Sequence, residues 1–180
     1  MLLKKQLLIL YVLLLSTLFS TAQIEGNYAS VKNFKELGFG AFLNFSLPVT
    51  DANYLTLECG FQYYKNQVED LAQVPIVLGY RYTLNQTGTG FYVEPNAGYS
   101  VGSSSIQKKF DPNSTDSYND PYEKVSGPAA GLSMGYLFGW GGSLQFNVAL
   151  RYEHTFSSAA VNVVGLRISH AITFGRRNAD

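Results

Sequence analysis

Residues 142–174 read GSLQFNVALRYEHTFSSAAVNVVGLRISHAITF, and with a period of two this stretch divides into two strands. Leu144, Phe146, Val148, Leu150 and Tyr152 alternate with Gln145, Asn147, Ala149, Arg151 and Glu153. After a small turn at residues 157–160, Val164, Leu166, Ile168, Ile172 and Phe174 alternate with Gly165, Arg167, Ser169, Ala171 and Thr173. Successive side chains of a strand point to opposite faces, so each strand has one apolar and one polar face. Strands of soluble sandwiches are typically about 5–6 residues long. These run longer and end in aromatics, which is the outline of a membrane-spanning β-barrel, apolar towards lipid and polar towards the lumen.

Working outward from that hairpin, the same alternation recurs at residues 126–138, 90–102, 72–84, 54–64 and 37–47. Pro75 falls at the start of its strand, where a missing ladder hydrogen bond is tolerated. Residues 48–53, 85–89 and 139–142 are short turns, whereas 65–71 and 103–125 are longer and polar. Outer-membrane barrels have short periplasmic turns and longer external loops, which assigns the short turns and the C-terminus to the periplasm. Seven strands are legible in this way, and residues 23–34, QIEGNYASVKNF, read locally as loop. An odd strand count leaves a sheet edge open, so topology predicts an eighth strand within residues 24–33. The expected fold is all-β: an eight-stranded antiparallel up-and-down transmembrane β-barrel behind a cleaved signal peptide.

The 180 residues suit one domain, and 13 basic against 13 acidic residues carry no basic excess of the kind nucleic-acid binding leaves. Abundant Tyr (13), Phe (12) and Gly (17) favour strands and tight turns. Lys4 and Lys5, the apolar run 7–19 and Ser20-Thr21-Ala22 have the form of a secretory signal peptide at residues 1–22, cut after Ala22. The mature barrel domain is then 23–180, exported to the outer membrane. The single Cys59 lies on an apolar strand face as packing or lipid-facing filler.

On the polar phase stand Glu58, Arg81, Glu94, Arg151, Glu153 and Arg167. Charges in a narrow lumen need partners. The turn at 85–89 sets Arg81 across from Glu94, and Glu58, one strand over, is placed to share that arginine. In the closing hairpin Arg151 is expected to face Arg167, with Glu153 diagonal to it. An eight-stranded barrel is just wide enough to fill with side chains, which favours a structural charge network over a substrate or ion path. His154 and His170 fall on the lipid-facing phase. HTFSS at 154–158 is similar to the His-Ser pair of lipid A deacylase barrels, but Phe156 stands where the serine belongs. Asp111, Asn113 and Asp116 share some spacing with a calcium loop, yet its sixth-position Gly and twelfth-position Glu are absent. No P-loop, dinucleotide fingerprint, zinc pair or nucleophile elbow is present. The expectation is therefore no catalytic, cofactor-binding or metal site and no cofactor.

QVPIVLGYRYTL, FYVEPNAGYSVG and GLSMGYLFGWGGSLQFNVALRYEHTF resemble successive hairpins of the small PorT-like outer-membrane β-barrels common in Bacteroidetes-type bacteria. The resemblance covers most of the mature chain and implies a fold and a place, since that family has no single activity. Phe174 then reads as the terminal assembly-signal aromatic. The function expected is a non-enzymatic barrel with a structural or interaction role in the envelope, in contact with outer-membrane lipid and with other outer-membrane or periplasmic proteins, including service as an accessory subunit docked through loop 103–125. A membrane-embedded lipid-modifying enzyme, a small pore and a secreted lipocalin-like carrier are the competing readings.

Overall fold

A computed structural model describes residues 19–50, 52–85, 89–108, 121–140 and 144–172. Eight antiparallel strands follow one another around a closed barrel: β1 (Phe19–Val31), β2 (Phe34–Pro48), β3 (Asn53–Lys65), β4 (Asp70–Thr83), β5 (Gly90–Ser104), β6 (Gly127–Trp140), β7 (Leu144–Thr155) and β8 (Val161–Ile172). Each strand pairs with its sequence neighbour, and β1 closes the ring on β8. Among the described residues no helix is long and apolar enough to cross a membrane.

The strand expected on topology alone within 24–33 is β1, which is longer and begins earlier, at Phe19. Its phase is Gln23, Glu25 and Asn27 inward against Ile24, Gly26 and Tyr28 outward. Gly26 and Ser30 on the outer face, with Ala29 and Val31 on the inner, blur that alternation and make the segment read as loop. Residues 19–22, assigned from sequence to the signal peptide, pair with β2 from Ser46 to Leu43.

Partner residues trace a row around the wall: Lys35, Ser30, Asn162, His154, Ala130, Ala97, Leu78, Leu57 and back to β2 at Phe45. Returning ten residues along β2, from position 35 to 45, is the stagger that closure requires, and it tilts the strands by about 40°.

The outer face is banded. Tyr28, Phe39, Phe61, Tyr99 and Tyr152 ring the end that carries the 66–69 and β5–β6 connections, while Tyr80, Tyr82, Phe91, Tyr136 and Phe138 ring the other, all at least one-third exposed. Between them lie Ile24, Leu43, Leu57, Ile76, Leu78, Met134, Leu150, Leu166 and Ile168. An apolar band between aromatic girdles is what a bilayer selects in a barrel wall. Short hairpins also sit at the loop end: residues 32–33, with Lys32 at a left-handed φ of 50°, and residues 156–160.

Candidate functional site

The lumen is the place where this chain concentrates charge. Glu58, Arg81, Glu94, Arg151, Glu153 and Arg167 all lie inside the barrel, 1–6% exposed, and Glu25 on β1 joins them at 1%. They form two groups. Towards the turn end, Arg81 Nε donates to Glu94 Oε2 at 2.6 Å, and Thr56 Oγ1 donates to Glu94 Oε1 at 2.9 Å. The Arg81 guanidinium lies 4.8 Å from the centroid of the Tyr92 ring, whose hydroxyl accepts from Asn147.

The second group is central. Arg167 donates to both oxygens of Glu58, Nη1 to Oε2 at 2.6 Å and Nη2 to Oε1 at 3.0 Å, and its Nε reaches Glu25 Oε2 at 3.1 Å. Arg151 pairs with Glu153, reaches Glu25 Oε1 at 3.3 Å and approaches Glu58 Oε1 at 3.6 Å. Glu25 and Glu58 each touch both guanidiniums, so neither arginine faces the other unscreened. Asn27 and Asn44 donate to Glu25 and Glu58. Buried charges are tolerated only with this degree of pairing and hydrogen bonding.

Two sequence expectations need correction here. Glu58 does not share Arg81; it is taken by Arg167 and Arg151, because barrel curvature carries its side chain across the lumen rather than along the wall. Arg151 does not stand opposite Arg167 either. The β7–β8 register pairs Arg151 with Gly165 and Ala149 with Arg167, a stagger of two.

Sequence reasoning missed Glu25 and Phe42. Glu25 is the direct cross-strand partner of Arg167, so closure of β1 on β8 delivers its carboxylate to the network. The Phe42 ring lies under both guanidiniums, 4.7 Å from Arg151 Cζ and 4.9 Å from Arg167 Cζ, a stacked cation–π arrangement. The ring fits because Gly40 and Gly60 present no side chain: a Cβ on either would meet it. Gly165 leaves the same clearance for the Glu25 carboxylate. The available signal was an aromatic on the polar phase flanked by inward glycines on the same and the adjacent strand.

Above the charges, at the loop end, the lumen turns apolar. Ala29, Val31, Phe34, Tyr64, Leu71, Ile106, Val125, Ala159, Val161 and Val163 make one buried cluster. Ile106 and Val125 come from the two roots of the β5–β6 connection, tied together by Glu123 N to Ile106 O at 2.9 Å and Lys108 N to Pro121 O at 2.8 Å. Glu123 is itself buried and paired with Lys32. These side chains pack together inside the loop end of the barrel.

On the outer wall, His154 Nδ1 lies 2.8 Å from Asn162 Oδ1, which also accepts from the Tyr152 hydroxyl at 2.9 Å. Ser157 Oγ donates to Ala159 O and Ser158 Oγ to Lys124 O, so neither serine is directed to His154. Cys59 is half-exposed on the outward phase. Among the described residues no group of three or more His, Cys, Asp or Glu is arranged to hold a metal. Asp111, Asn113, Asp116 and Phe174 lie outside the described residues.

Closed strand order, stagger, girdles and inward charge together define the fold of the small eight-stranded outer-membrane barrels. Neisserial surface protein A superposes with a TM-score of 0.58 at 14% identity, covering 88% of this chain and 97% of that one. Ail, the attachment invasion locus protein of Yersinia pestis, gives 0.55 at 12% identity over 86% of this chain and 97% of its own. The N-terminal β-barrel domain of Pseudomonas aeruginosa OprF aligns at 0.46 with 14% identity, covering 84% and 97%. No family model matches the chain, and no curated protein matches it.

Proposed function

We propose that this protein is a non-enzymatic outer-membrane barrel whose role in the cell envelope is structural or interactive, including service as an accessory subunit of a larger membrane complex. The observation that carries the reading is the filled interior: two salt-bridged layers beneath an apolar cluster occupy the lumen and leave the outer wall and the loop end as the surfaces for contact. The banded wall supports residence in the outer membrane, with lipid as its first partner and neighbouring outer-membrane or periplasmic proteins as others. The sequences at 73–84, 91–102 and 131–156 support a place among the PorT-like barrels of Bacteroidetes-type bacteria. Lys4, Lys5 and the apolar run to Phe19 support export by a signal peptide; a cut after Ala22 leaves β1 as residues 23–31. Planar-bilayer recording of the purified protein tests the filled lumen: no stable conductance is expected, and large steady channels would overturn the reading in favour of a pore.

A further inference from the structure

The register that closes the barrel also lines up an unusual row on its outer wall. Ala130, His154, Asn162, Ser30 and Lys35 are consecutive cross-strand partners on β6, β7, β8, β1 and β2. Their chain neighbours Ala129, Glu153, Val161, Ala29 and Phe34 are buried inside, so all five face outward. Directly cross-strand Cβ atoms stand about 4.5–5.5 Å apart, which makes the row one continuous strip. Tilt sets Lys35 nearest the loop end, each strand towards His154 lying about 3 Å deeper.

The rows beneath it behave as a barrel wall should. Leu132, Tyr152, Val164, Tyr28 and Leu37 form the next, and Met134, Leu150, Leu166, Gly26 and Phe39 the one after. Only the upper row is polar, and it dips towards the apolar band.

Its hydrogen-bonding capacity is one-sided. Asn162 spends its carbonyl oxygen on the Tyr152 hydroxyl and on His154 Nδ1, and the His154 ring is braced edge-on by Phe156 at 4.4 Å between centroids. The amide of Asn162 keeps its two N–H donors beyond those contacts. Ser30 adds a hydroxyl, and Lys35 an ammonium that has no ion-pair partner among the described residues. The strip contains no carboxylate. Two rows below Ser30, past the outward-facing Tyr28, Gly26 leaves a furrow: a Cβ there would meet nothing within 4 Å, while Leu166 and Phe39 stand out on either side, 53% and 58% exposed.

We propose that Lys35, Ser30 and Asn162 seat the phosphate of an anionic phospholipid, with one acyl chain laid in the furrow over Gly26. Three donors with one positive charge match a phosphate diester, and charge-assisted hydrogen bonds of this type are the strong ones. Tyr152 and His154 act as positioning residues that fix which way the Asn162 amide points. The inference rests on the proposed membrane residence and adds a specific lipid contact to it.

The test uses the barrel purified in dodecyl maltoside, with dioleoylphosphatidylglycerol as probe and dioleoylglycerol and inorganic phosphate as controls, read by native mass spectrometry. Wild type is expected to retain one phosphatidylglycerol, to ignore dioleoylglycerol, and to keep the lipid when inorganic phosphate is added. Lys35→Glu is expected to weaken retention by roughly tenfold, the scale of one lost charged contact, and Asn162→Leu and Gly26→Leu are each expected to weaken it as well. Retention of the heat-modifiable gel shift shows that each barrel is folded; Lys35→Gln and Ser30→Ala stand in for any variant that is not. Equal retention by wild type and the folded variants overturns the seat, as does displacement of the lipid by inorganic phosphate. If wild type instead stays soluble without detergent and does not enter vesicles, the membrane reading itself falls, a result distinct from insertion with variant-insensitive lipid binding.

Discussion

Gly60 and Gly26 are both strand glycines, and what surrounds them gives them opposite roles. Gly60 faces inward against the Phe42 ring, so Gly60→Leu must displace the platform on which Arg151 and Arg167 stack. Overpacking of this kind costs about 1–3 kcal/mol. Gly26 faces open space, and Gly26→Leu should stay within about 0.5 kcal/mol of wild type. Urea unfolding in detergent micelles compares the two; equal effects would contradict the described packing. The Arg81–Glu94 pair makes a sharper test. Arg81→Met leaves a buried carboxylate held by Thr56 and should cost about 3–5 kcal/mol, whereas Arg81→Met with Glu94→Gln removes both charges and should cost less than that single change. Additive single effects would mean the two side chains do not interact.

At the level of strands, the outward rows form a depth scale. Leu150→Arg and Leu166→Arg fall in the middle of the apolar band and should destabilise the barrel by about 2–4 kcal/mol, while Ser30→Arg in the upper polar row should cost about 0–1 kcal/mol. Reversible folding into lipid vesicles measures the difference, and a flat profile would remove the membrane assignment of the wall. Seven of the eight strands were legible in the sequence because their outward residues are mostly apolar and alternate regularly with polar ones and glycine, as in Leu37 to Leu47. β1 was not, because Gly26 and Ser30 interrupt its outer face where the furrow and the polar row lie. The six lumen charges were legible from phase alone, but their partners were not. Phase gives the face on which a side chain stands; the stagger between strands and the curvature of the wall decide which side chains meet across the lumen, and both are properties of the closed ring.

For the whole molecule, the seam between β1 and β8 has a consequence for the order of assembly. Glu25 and Arg167 are separated by 142 residues, and the two central arginines arrive on the last two strands. Bringing such distant segments together carries a loop-closure cost that delays it relative to hairpin formation. Until the first strand docks, Arg151 and Arg167 have only Glu58 and Glu153 to neutralise them. Glu25→Gln should therefore slow the appearance of the heat-resistant form on gels more than it alters the hairpins formed earlier; an unchanged rate would separate the two events. The same contact checks the alignment of the ends. A slip of two residues at the seam, which preserves the inward and outward faces and so escapes any hydrophobic penalty, would put Glu25 opposite Gly165 or Ser169. Charge at the joint supplies the discrimination that greasy alternation lacks, so the chain proofreads its own closure with a single carboxylate.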